Sequence, residues 1–230
     1  MGFWSSVKSV AKKAWRAVKG AARQVARVVT EIVHRVIIGL PDLLLGFITW
    51  PEKKLRIKVL ILVDEYGKPV ASPADLTPSI DYARRVFKDR LNVKLLPYHE
   101  EPMVEVLISP APAAALRVEC GWGAWGEEFG EAGEYFADHL AGLVYPVTAY
   151  VVIDVMNKQG CSLGPLTDYV TLDRDGIKSG STLAHELGHA CGLWHSGTTS
   201  NLMYRNSSRG DGIKWFQKNL FRSSRHVTYW

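Results

Sequence analysis

Three cysteines in 230 residues, Cys120, Cys161 and Cys191, are too few for a disulfide scaffold, and none stands in a C-x-x-C pair. Their odd number leaves two states open: one bridge with a free thiol, or three reduced thiols. No stretch reaches the roughly 18 uninterrupted apolar residues of a membrane-crossing helix. The best apolar run, Val36 to Trp50, is broken by Pro41 and Asp42. It also begins too far from the N-terminus for a cleavable signal peptide, and no small-x-small cleavage site follows it. Acid is scarce in one region only. Residues 1–35 hold eight Lys/Arg and one Glu, a net +7, whereas the other 195 residues hold 20 basic and 22 acidic groups, a net −2. The basicity belongs to a leader segment and not to the body, so no nucleic-acid partner is expected.

What is present reads as a folded chain. At 47% hydrophobic and 22% charged residues, disorder and collagen-like repeats are excluded. In the leader, Trp4, Val7, Ala11, Ala14, Val18, Ala22, Val25, Val29, Ile32 and Val36 recur at steps of three and four, and most lysines and arginines fall between them. This spacing predicts a long basic amphipathic helix over residues 1–50. Two uses of its apolar stripe stay open: the helix lies in a membrane interface, or it packs on a partner assembly or on its own domain. A third use is as a pro-segment.

After Trp50-Pro51 the pattern changes, and residues 51–230 read as the second unit. Leu55 to Val63 is a β-branched run closed by the turn residues Asp64-Glu65-Tyr66-Gly67. Pro78 to Leu91 has helical spacing with proline in its first turn. Further strands are expected at Val93 to Leu96, Met103 to Ile108, Val147 to Met156 and Tyr169 to Leu172, and an irregular acidic loop over 121–133. Strands alternating with helices predict a mixed, largely parallel α/β (α+β) sheet.

Residues 185–195 read HELGHACGLWH. On a helix, His185 and His189 stand one turn apart on the same face, a spacing that lets two imidazoles share one zinc ion. Glu186 points about 100° away, where its carboxylate can take a proton from water instead of occupying the same coordination direction. Gly192 permits the left-handed turn that brings His195 back as a third ligand. Random placement yields the first three of these residues in about one such chain in a hundred, and all five in roughly three per hundred thousand.

This segment resembles the metzincin zinc peptidases, whose signature is H-E-x-x-H-x-x-G-x-x-H followed by a Met turn, here Asn201-Leu202-Met203-Tyr204. Ser196 after the third histidine is similar to the matrixin branch. The resemblance implies one Zn2+ held by His185, His189 and His195. It implies Glu186 as general base and Met203 as a floor beneath the metal. It also implies a five-stranded mixed sheet with a backing helix, an active-site helix near 180–192 and a C-terminal helix near 212–222. An edge strand around Tyr169, Val170 and Thr171 would align an extended peptide. Arg205 departs from the proline that matrixins carry there. No Cys precedes Cys120, so a cysteine-based latency device has no residue to use. Asp173, Asp175 and Gly176 resemble a fragment of a calcium loop, with too few carboxylates to support calcium.

The expectation is therefore a zinc metalloendopeptidase acting on protein or peptide substrates, in a secreted or membrane-surface location. The alternative is a membrane-active or delivered effector whose first 50 residues are the main functional element.

Overall fold

The computed structural model describes residues 3–99, 102–120, 126, 128–142 and 145–230, with side chains from Lys8 onward. At its centre lies β1, Lys53–Ile61, whose burial alternates and then becomes continuous. Leu55, Ile57 and Val59 face the core while Lys54, Arg56 and Lys58 are only partly covered, and from Val59 onward both faces are buried. That is the burial expected of a strand running into the middle of a covered sheet.

Flanking β1 are β2 (Val93–Pro97) and β5 (Val147–Val151), both parallel to it. Outside β5 come β8 (Tyr169–Leu172), parallel, and β7 (Gly160–Cys161), antiparallel. The main path is thus β2-β1-β5-β8-β7, the five-stranded, mostly parallel arrangement expected. Two short strands extend it to seven: β3 (Val104–Val106) and β9 (Val227–Thr228) pair with the parts of β1 that β2 and β5 leave free. The expected strand 147–156 is divided. Its first part is β5; Asp154–Val155 forms β6, which pairs with β4 (Arg117–Val118) in a separate two-stranded sheet.

The backing helix, Thr77–Leu91, buries Ile80, Ala83, Val86, Phe87 and Leu91 and stops at Asn92, which takes the left-handed conformation (φ 50°). The C-terminal helix, Trp215–Arg222, brings Phe221 within 5.0 Å of Phe87, ring centre to ring centre. The expected loop at 121–133 lies partly outside the described residues. Within them, Glu128 is buried, and Glu131–Asp138 is helical.

The leader is a helix over Phe3–Val33, followed by a π-helical turn, His34–Ile38, and a short helix, Leu40–Leu45. It rests on the body, but with the opposite face from the one that packing by an apolar stripe requires. Arg27 is buried and pairs with Glu128 at 2.7 Å and Asp168 at 2.8 Å. Arg225 reaches Glu31 at 3.3 Å and Asp168 at 2.6 Å. Asp42 receives Lys53 and Arg222, each at 3.0 Å and each fully buried. Gly20 lets the helix approach closely: a Cβ there would stand 2.5 Å from the Phe129 ring. Ala11, Ala14, Val18, Ala22, Val25, Val29, Ile32 and Val36 are all exposed, so packing of the stripe on the chain's own body is corrected. The seam is ionic because its contacts are made by the charged face. Trp4 and Val7 lie outside the residues whose side chains are described.

Candidate metal centre

The helix Ser181–Ala190 is buried along nearly its whole length between the backing helix and β8. Leu183, Ala184, Leu187 and Ala190 supply its apolar contacts, all fully buried, and this sets the rotation that turns His185 and His189 toward the opening. The helix ends at Cys191, and Gly192 takes φ +92°, the left-handed turn anticipated for it.

The three imidazoles converge. His189 Nε2 stands 3.1 Å from His185 Nε2 and 3.2 Å from His195 Nε2. The other ring nitrogens are occupied where the structure fixes them: Nδ1–H of His185 donates to Leu202 O at 2.9 Å, and Nδ1–H of His189 to Leu193 O at 2.7 Å. With Nδ1 protonated, each Nε2 carries a lone pair. Two lone pairs facing each other at this distance repel, and a cation among them resolves that repulsion. Ligand atoms about 2.0–2.1 Å from a tetrahedral zinc lie roughly 3.3–3.4 Å apart, close to the spacing found. His185, His189 and His195 are the group among the described residues whose ligand atoms fit one metal ion. Three neutral nitrogens suit zinc, and burial decreases from His185 to the exposed His195, which leaves one side of the centre open to solvent.

Burial pushes the imidazoles away from protonation. His185 is lowered to about 3, with the neighbouring His189 adding to the effect, and His189 is lowered to about 4. Glu186, 6% exposed, is raised to about 8 by burial, with Arg209 and Lys158 pulling the other way. A bound cation acts in the same direction as those two residues and favours the carboxylate.

Met203 is fully buried, and its sulfur would lie 2.6 Å from a Cβ on Gly188. Gly188, between the first two ligands, thus lets the Met turn press against the helix directly beneath them. The turn is tied back twice, by Ser196 N–H donating to Met203 O at 2.8 Å and by the His185 contact with Leu202 O. Tyr204 forms an isolated backbone bridge with Ser196.

A cleft of about 440 Å³ opens over the centre, with Gly160 of β7 on one wall and Lys158, Arg205 and Arg209 around it. The edge strand along this cleft is β7, not β8. Tyr169, Val170 and Thr171 are buried, and β8 lies between β5 and β7, so it has no free edge there to offer a peptide. Only two residues long, β7 has no periodicity by which the sequence would reveal it. Gly160 carries a usable sign: a Cβ there would meet Glu186 Cγ and Thr182 Cγ2, both at 2.9 Å. The bare backbone lets the strand lie flush against the helix that carries the carboxylate.

Cys161 of β7 forms a disulfide with Cys120, while Cys191 is a buried free thiol facing away from the centre. Asp173 caps the helix Arg174–Lys178 by accepting from Gly176 N–H at 2.6 Å, which gives that carboxylate a structural task. Behind the centre, Arg35 of the leader donates to Cys191 O at 3.1 Å and to Leu220 O at 2.7 Å. Arg35 Nη2 would stand 2.6 Å from a Cβ on Gly192.

No family model matches this sequence, and no curated protein matches it. Among solved structures, metalloproteinase-II from Bacteroides fragilis matches at 15% identity with a TM-score of 0.46, over 66% of this chain and 46% of that one. The chain thus spans about half the length of that protein. At this similarity the chemistry rests on the residues of the centre itself.

Proposed function

We propose that this chain is a zinc-dependent endopeptidase of metzincin type. The observation that carries the reading is the convergence of His185, His189 and His195 Nε2 beside the buried carboxylate of Glu186. His185, His189 and His195 would hold the ion, with Met203 under them. Zinc bound there supplies Lewis acidity to a carbonyl oxygen and lowers the pKa of a water.

The chain's own residues supply the rest. The outer side of β7 offers its backbone to an extended peptide as an added strand, placing a scissile bond over the centre. Glu186 accepts a proton from the attacking water on its carboxylate oxygen and returns it to the leaving amine nitrogen. Arg209 and Lys158 favour the charged form of Glu186 before attack. The exposed side of the centre at His195 admits a peptide from solvent, and endo-cleavage is part of the proposal.

The test is Glu186→Ala in the full chain. Zinc content by metal analysis is expected to stay near one per chain, because no ligand is changed, while cleavage of a broad peptide library falls at least about a hundredfold. Wild-type protein that holds stoichiometric zinc and cleaves nothing in such a library would remove the proposal.

A further inference from the structure

The ionic seam occupies the leader's charged face and leaves its apolar face unpartnered. At about 100° per residue, Arg16, Arg27, Glu31 and His34 lie on one side of the helix and Val18, Val25, Val29 and Ile32 on the other. Those four are 54–64% exposed. The surface continues past the helix through Ile37, 71% exposed, and Trp50, 81% exposed. Phe47 meets the Trp215 ring edge-on at 6.4 Å, and Trp215 meets Phe216 at 6.1 Å. Phe216 in turn shares a wall with Trp194 and the ligand His195. An apolar surface therefore runs from mid-leader to the rim of the metal centre, and exposed apolar patches of this kind mark interaction sites.

Charge selects the occupant. Lys8, Lys12 and Lys19 line one shoulder of the stripe, and among the described residues none has a carboxylate partner. Residues 1–30 contain no acid at all. A second copy would set one +7 leader against another. An anionic bilayer complements every feature: valines and isoleucines enter the acyl boundary, lysines extend to the headgroups, and Trp15 and Trp50 sit at the interface. No helix among the described residues is long and apolar enough to cross.

We infer that this chain binds flat on an anionic lipid surface through the outward face of its leader and residues 36–50, with the metal centre at the edge of the contact. The inference does not depend on the peptidase reading, because it rests on the exposed apolar and basic surface and not on the chemistry of the centre.

The experiment pellets the full zinc-loaded chain with phosphatidylcholine vesicles containing about one-third phosphatidylglycerol. Binding with a blue shift of tryptophan emission is expected, and at least about tenfold weaker binding to phosphatidylcholine alone. Val18→Ser with Val25→Ser and Ile32→Ser should abolish binding, with unchanged circular dichroism and zinc content showing that the fold is intact. Lys8→Ala with Lys12→Ala and Lys19→Ala should weaken it about a hundredfold, at roughly fivefold per lysine near the surface. Failure to pellet with anionic vesicles overturns the inference, as does full binding by the valine and isoleucine variant. A lipid-free dimer in sedimentation velocity that this same variant dissolves would assign the face to a second copy instead.

Discussion

The seam under the leader and the core under the backing helix are built from opposite materials. In the backing helix and β1 the residues turned inward include Val86, Phe87, Leu55 and Ile57, all fully buried and apolar. Between leader and body they are Arg27, Asp42, Glu128, Asp168, Lys53, Arg222 and Arg225, nearly as deeply buried but ionic. An apolar core tolerates substitution according to volume, whereas a buried ion pair is weak as a source of stability yet strict, since losing one partner strands the other. The difference teaches that a helical stripe reveals which face is apolar, not which face meets the body.

The comparison breaks most visibly at Asp42, which among the described residues is the carboxylate paired with both Lys53 and Arg222. Asp42→Ala should lower unfolding free energy by about 3–5 kcal/mol, measured by urea denaturation. Replacing the trio with apolar residues of similar volume should recover much of that loss.

On the apolar side of the comparison, Gly188→Ala places a methyl 2.6 Å from the Met203 sulfur. It should cost about 1–3 kcal/mol by overpacking. It should also weaken zinc binding in a competitive chelator titration, because the displaced turn carries the carbonyl that orients His185.

Acid distinguishes the two regions again. His226, buried beside the seam, is pushed down to about 3 by burial, with Arg225 adding to the effect, and its Nδ1 is held 3.0 Å from Tyr145 O. Unfolded, it titrates at its ordinary value near 6.5. Between those values the unfolded chain takes the extra proton. The stabilisation is therefore complete above about pH 6.5 and falls by about 1.4 kcal/mol per pH unit below it. The fall ends near the folded value. Thermal melts of metal-free protein between pH 7 and pH 5 (roughly the window in which an unfolded imidazole gains its proton) should show it together with the like contributions of His185 and His189, and His226→Gln should remove its share of the slope.

The smallest expected change is at the outward face. Val25→Ser, at a site 64% exposed, should alter stability by less than about 0.5 kcal/mol. A larger loss there would mean that the face packs on something in the free protein.

Much of this was legible in the chain. Strand β1 and the backing helix were readable because their periodicities are long and their ends carry turn or capping residues. The centre was readable because three histidines, an acid and a glycine lie within eleven residues, where helix geometry dictates the directions of His185, Glu186 and His189 and the glycine marks the turn toward His195. What escaped depended on partners distant in sequence. The pairing of Cys120 with Cys161 and the edge position of β7 are set by the order of strands, which no local pattern encodes. Glu128 read as loop acid until Arg27, 101 residues earlier, placed it inside. The leader's orientation was hidden for the same reason.

Arg35 gives the leader a second role. Its guanidinium donates to Cys191 O in the bend between the second and third histidines, so the first fifty residues brace that bend from behind. Anything that lifts them, whether a nick before β1 or a pull from a lipid surface, withdraws that brace from the loop bearing His195. Deleting them should therefore lower the proposed peptidase activity rather than raise it.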